Sequence, residues 1–183
     1  QMEKLTAKKV VVAGATGGIG RQLVKLLQQS GAEVFVTGRD QVKLDALVSD
    51  LGLSPTHAVA ADISNESDMQ MLGSRVSAEM GTPDILINLA GIGIIKSMDH
   101  LTLAEFTQSL NTNLVGSFLF VKMFLPAMKE SKKGLIVNVP GVLGKVPMAG
   151  AAAYSASKYG IVGMMQSIRE ELKRTEIRIT NLF

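Results

Sequence analysis

A run of successive apolar residues near the start of this chain, Lys9-Val10-Val11-Val12-Ala13, limits what the chain can fold into. Apolar side chains on both faces of a strand need cover on both faces, which is the condition of a buried parallel strand. The run passes into Gly14-Ala15-Thr16-Gly17-Gly18-Ile19-Gly20, then into Arg21-Gln22-Leu23-Val24-Lys25-Leu26-Leu27, apolar at helical spacing until Ser30-Gly31. The same alternation continues. Spacing predicts strands over 33–37, 56–60, 85–88, 135–139 and 178–183, and helices over 41–51, 64–80, 103–112, 115–131 and 152–174. Strands separated by helices predict an α/β fold, a doubly wound parallel sheet between two helix layers (αβα). No repeat, linker or low-complexity tract divides the chain, so residues 1–183 read as a single domain.

Composition narrows the function classes. With 46% apolar and 19% charged residues the chain has enough apolar side chain for a real core. A net charge of +3, with basic residues scattered, gives no nucleic-acid footprint, and the cluster Lys129 to Lys133 reads as a solvated helix end. No apolar run reaches the roughly 18–20 residues that span a bilayer. There is no cysteine and no signal-peptide layout, so no membrane partner is expected and the cytoplasm is the expected compartment. The two histidines, His57 and His100, stand far apart, so no metal site is expected.

Two stretches carry chemistry. In the turn Gly14-x-x-x-Gly18-x-Gly20, glycines permit a tight strand-to-helix turn and let a pyrophosphate approach the backbone, while the helix N-terminus favours negative charge. No Gly-Lys-Ser or Gly-Lys-Thr is present, which argues against a triphosphate P-loop. Further on, Tyr154 and Lys158 lie four apart on a predicted helix and share a face. A phenol is a poor proton donor or acceptor at neutral pH, and a neighbouring cation favours its anion.

Gly14-x-x-x-Gly18-x-Gly20, Asn88-Leu89-Ala90-Gly91, Asn113 and Tyr154-x-x-x-Lys158, in this order and at these separations, resemble the short-chain dehydrogenase/reductase family, in particular its carbonyl and 3-oxoacyl reductases. The resemblance covers nearly the whole chain. It implies a Rossmann sheet of order 3-2-1-4-5-6 with a nicotinamide dinucleotide across its C-terminal edge. It further implies an oxidoreductase interconverting a carbonyl and an alcohol on a small-molecule substrate, with Tyr154, Lys158 and Asn113 as catalytic residues. Tyr154 would exchange the proton, Lys158 would favour the phenolate and hold the nicotinamide ribose, and Asn113 would help carry the proton relay to solvent. The residues implied to hold the dinucleotide are Gly14, Thr16, Gly17, Gly18, Ile19, Gly20, Arg39, Asp62, Ile63, Asn88, Ala90 and Gly91, together with Tyr154 and Lys158. Leu89 stands where the family usually has a second asparagine.

Cofactor choice turns on Thr37-Gly38-Arg39-Asp40. An acidic residue at the end of the second strand suits the ribose 2′-OH of NAD(H), and a basic one suits the 2′-phosphate of NADP(H). Gly38 fills the acidic position and Arg39 supplies a forked donor, so NADP(H) is expected over NAD(H). The alternative has Asp40 turning inward to take the 2′-OH.

Two departures qualify the resemblance. The family's catalytic serine corresponds to Gly141, preceded by Pro140, and no serine or threonine occurs between Gly134 and Gly150. The family also continues past its sixth strand with a Pro-Gly turn and a substrate-covering segment. This chain ends at Phe183, so an exposed apolar sheet edge is expected. Three readings follow: an NADP(H)-dependent carbonyl reductase or alcohol dehydrogenase, a catalytically silent dinucleotide-binding protein, and an assembly subunit needing no cofactor. Helix 115–131, with Val115, Phe118, Leu119, Phe120, Val121, Met123, Phe124 and Leu125, is apolar almost all round and must be covered on more than one side. With helix 152–174 it is expected to form a homodimer or homotetramer contact, as in the family.

Overall fold

The structure is a computed structural model and describes residues 5–183. Six strands form one parallel sheet: β1 (Lys9–Ala13), β2 (Glu33–Gly38), β3 (Ala58–Ala60), β4 (Ile85–Asn88), β5 (Lys133–Asn138) and β6 (Glu176–Asn181). Their order is β3-β2-β1-β4-β5-β6, as expected for a doubly wound Rossmann sheet. The apolar run in β1 does what its pattern requires. Val10 and Val12 pack on one face with Val24 of α1 (Gly18–Gln29) and Leu44 of α2 (Gln41–Leu51), while Val11 and Ala13 pack on the other. That second face is covered by α3 (Glu66–Met80), α5 (Gly116–Ser131) and α6 (Ala152–Glu171), through residues such as Leu72, Phe120 and Met165. All of these side chains are fully buried, and each one larger than alanine contributes about 1.5–3 kcal/mol of hydrophobic burial.

Several elements differ from the sequence expectation. Pro55 starts a short 3₁₀ turn, Pro55–His57, and β3 is confined to the three residues after it. Proline has no N–H for the ladder, and its fixed φ suits a turn start. The helices expected over 103–112 and 115–131 are one continuous structure: α4 (Leu103–Ser109) runs through a π-helical segment, Leu110–Val115, into α5. The last helix ends at Glu171, and the last strand starts at Glu176 and ends at Asn181. Among the described residues no helix is long and apolar enough to cross a membrane.

Side-chain caps are present at three helix starts and missing at others, α1 and α6 among them. Asp40, Asn65 and Thr102 cap α2, α3 and α4 with side-chain oxygens. The N-cap of α1 is Gly17, which has no side chain, and no acidic residue lies in the first turn. The first N–H groups of α1 are therefore left for something outside the helix.

Candidate active site

The C-terminal ends of the strands carry the site. A cleft of about 360 Å³ is lined by Gly14, Thr16 and Gly17 of the first turn, by Thr37, Gly38, Arg39 and Lys43, by Ala61 to Ile63, by Leu89 to Gly91, and by Thr112. Its floor depends on glycine at two positions. Gly14 has φ +73°, and a Cβ there would lie 2.5 Å from Ala90 N. A Cβ on Gly20 would lie 2.3 Å from Gly14 O, so helix α1 can approach the turn only because the side chain is missing. Gly18 is different: a Cβ there would meet nothing within 4 Å. Nothing within the fold requires glycine at that position, and the open backbone at the start of α1 suits close approach by a ligand. Ile19 beside it is exposed.

Charge at the cleft comes from Arg39, Lys43 and Asp62. Arg39 is exposed and has no ion pair or hydrogen bond among the described residues. Asp40 is occupied otherwise: Oδ1 accepts from Lys43 N at 3.1 Å as the α2 cap, and Oδ2 lies 3.9 Å from Lys43 Nζ. Gly38 has a packing reason as well as an electrostatic one, since a Cβ there would lie 3.1 Å from Thr16 Oγ1. Asp62 Oδ1 accepts from Ser64 N (2.9 Å) and Ser64 Oγ (2.7 Å), and Ile63 is buried beside Gly116. Asn88 does not line the cleft. Its Oδ1 accepts from Ala90 N at 3.0 Å and its Nδ2 donates to Ser117 Oγ at 2.9 Å, which holds the turn Leu89–Gly91 in place.

Asn113, Tyr154 and Lys158 come together at one end of this cleft. Asn113, in the π segment, is fully buried; its Oδ1 accepts from Ile92 N at 2.8 Å, and Nδ2 donates to Ile92 O and Ser157 Oγ, both at 2.9 Å. Ser157 Oγ in turn donates to Tyr154 O at 2.7 Å. A Cβ on Gly91 would lie 3.1 Å from Asn113 Oδ1 and 3.4 Å from Lys158 Nζ, so both side chains converge beside the Gly91 backbone. The Lys158 ammonium lies 5.4 Å from the Tyr154 ring centroid and donates to Val139 O at 3.3 Å. Lys158 is 6% exposed, and burial lowers its pKa from the usual lysine value.

Gly141 has φ +68° and ψ −178°, and its N–H donates to Leu182 O at 3.0 Å. A backbone donor at Gly141 is therefore committed within the fold, and a side chain there would be strained.

Sequence reasoning did not pick out Lys43, Ser117, Ser157 or the backbone of Ile92. Lys43 was the most accessible of these, since it lies four residues after Arg39, in the first turn of α2. The serines work by hydrogen bonding across elements, for which a linear pattern has no signal.

The family model for short chain dehydrogenases matches residues 8–183. Among curated proteins, the ketoacyl reductase HetN of Nostoc is 33% identical over 181 residues, covering 98% of this chain and 63% of its own length. An uncharacterized oxidoreductase of Staphylococcus epidermidis is 29% identical over 99% of this chain and 78% of its own length. Among solved structures, a metagenomic short-chain oxidoreductase in complex with NADP superposes with a TM-score of 0.88 at 33% identity, over 97% of this chain and 81% of that one. An actinorhodin polyketide ketoreductase variant with NADPH gives a TM-score of 0.89 at 32% identity, over 95% and 69%. The chain belongs to the short-chain dehydrogenase family of oxidoreductases.

Proposed function

We propose that the protein is an NADP(H)-dependent oxidoreductase that interconverts a carbonyl and an alcohol on a small molecule, with Tyr154 as general acid and base. One observation carries this reading: Asn113 and Lys158 converge beside Gly91, with Tyr154 next to Lys158, at the end of a cleft lined by the glycine turn. The residues fit a dinucleotide. The uncapped start of α1 and the bare backbone at Gly17 and Gly18 suit a pyrophosphate, the free Asp62 oxygen suits an amino group, and Arg39 suits a 2′-phosphate. When bound, the dinucleotide supplies or accepts the hydride. The chain's own part is to hold the substrate oxygen at Tyr154, to move a proton there, and to stabilise the phenolate with the Lys158 ammonium. The exposed apolar side chains Ile95, Met98, Val142, Val146 and Met148 on the flanking loops favour an apolar carbonyl compound. Loss of NADPH absorbance with at least one member of a ketone and aldehyde panel is the expected result. NADPH binding without turnover on any member would leave the silent dinucleotide-binding protein, which the missing hydroxyl at Gly141 favours.

Arg39→Ala is expected to weaken NADPH binding about 10- to 100-fold and NADH binding hardly at all, since a charge-assisted bond to phosphate contributes about 1.5–3 kcal/mol. Fluorescence titration with both cofactors checks this. Equal losses would assign the 2′-phosphate to another group, with Lys43 the first candidate.

The reading also includes a second copy of the chain as partner. Val115 (38% exposed) and Phe118 (43%) leave the apolar surface of the π segment and α5 uncovered beside Ile168 of α6. Sedimentation is expected to show a dimer or tetramer, dissociated by Phe118→Glu; a monomer at all concentrations would refute it.

A further inference from the structure

The loop between β4 and α4 is fastened at two points. At Ile92 both backbone polar groups are held by the Asn113 side chain. At Lys96 the backbone forms a parallel bridge with Ala151, and its N–H donates to Gly150 O at 2.7 Å. Gly150 has φ +77°, a left-handed conformation that glycine adopts without strain. The Lys96 ammonium then donates to Glu105 Oε1 on α4 at 2.5 Å. Glu105 Oε2 accepts from Thr102 N (3.0 Å) and Thr102 Oγ1 (2.9 Å), completing the capping box that starts α4. Lys96, followed by Thr102, lowers the Glu105 carboxyl to about 2, so it remains an anion at neutral pH.

These contacts close two rings. One runs from Asn113 to Ile92, along the loop to Lys96, across to Ala151, along α6 to Ser157, and back to Asn113. The other runs from Lys96 to Glu105, along α4 and the π segment to Asn113, and back through Ile92. Ala151 immediately precedes α6, whose first turn contains Tyr154. In a closed ring a shift at one joint must be absorbed at the others, so Lys96 constrains Tyr154 against Asn113. Its ion pair with Glu105 is partly exposed (44% and 28%) and adds little to stability. The consequence of the contact is geometric, and misplacement of a reacting group by about 1 Å can cost 10²-fold in rate.

We propose that Lys96 is a positioning residue for the Asn113–Tyr154–Lys158 centre, a latch whose backbone holds the start of α6 and whose ammonium holds the start of α4 through Glu105. The proposal rests on the oxidoreductase reading of the same site, and the experiment separates the two. Lys96→Met and Glu105→Gln are compared with the conservative variant Lys96→Arg, which keeps a cation opposite Glu105 and leaves the Glu105 cap on Thr102 intact. Each is assayed for turnover, NADPH affinity and hydrogen exchange at the amides of Ser155, which donates to Ala151 O, and Ile92. The expected result is about tenfold lower turnover in Lys96→Met and in Glu105→Gln, unchanged NADPH affinity, faster exchange at both amides, and values close to those of the unaltered protein in Lys96→Arg. Unchanged turnover and exchange in Lys96→Met and Glu105→Gln would overturn the latch. So would losses of turnover that Lys96→Arg shares in full, or that NADPH affinity matches in step. If the unaltered protein turns over no carbonyl compound, the oxidoreductase reading fails, and amide exchange alone decides whether the latch exists.

Discussion

Tyr154→Phe is expected to lower carbonyl turnover by about 10²–10⁴-fold, the range for removal of a positioned acid–base group, with NADPH affinity essentially unchanged. The hydroxyl of Tyr154 has no hydrogen-bond partner among the described residues, so its loss leaves no buried donor or acceptor stranded and the fold should not change. The chain's other tyrosine is the internal control. Tyr159 OH donates to Lys145 O at 2.6 Å, tying the segment after β5 to α6. Tyr159→Phe should therefore lower stability by about 1 kcal/mol and leave the proton-transfer step alone. Single-turnover oxidation of bound NADPH with a ketone, compared across the two variants, checks the assignment. Equal rates for Tyr154→Phe and the unaltered protein would move the proton chemistry elsewhere.

The part of the site that was legible in the sequence is the part written in local spacing. Val10 to Ala13 demanded a strand covered on both faces, and the sheet provides it. Tyr154 and Lys158 share a face because four residues make about one helical turn. Gly20 marked the turn because its reason is local, a clash with Gly14 O in the same turn, and Gly14 marked it through its left-handed backbone, φ +73°. What was illegible depends on distant parts of the chain. The π segment Leu110–Val115 has no sequence signature; the expected break between two helices is instead a locally widened helix, with Asn113 committed to Ile92 and Ser157. Asp40 was open to two roles until its Oδ1 was found on Lys43 N, because a carboxylate before a helix suits both a cap and a ribose. The Lys96 bridge to Ala151 joins two loops whose separation in the chain hides the pairing.

Lys158→Met should lower turnover by at least about 10² and at the same time raise stability by about 1 kcal/mol, or about 2–4 °C in Tm. The two effects have one cause. The Lys158 ammonium is buried, has no carboxylate partner among the described residues, and donates to a single carbonyl, Val139 O. Burial disfavours its charged form and lowers its pKa below the ordinary lysine value of 10.5. The unfolded chain therefore binds this proton more tightly than the folded one. In the window between the lowered value and 10.5 the unfolded state carries more protons, so stability rises with pH there. Below the lowered value the folded protein bears the full cost of a buried cation. Methionine fills similar space without charge, so its stabilising effect should be largest at neutral pH and should shrink as pH climbs toward 10.5. Thermal unfolding of the two proteins across that range is the measurement. A variant less stable than its parent at neutral pH would mean that the fold stabilises the ammonium more than solvent does. In that case burial at Lys158 could not be the source of a functional cation held at the expense of stability, and the ion would have to be counted among the contacts that keep α6 in place.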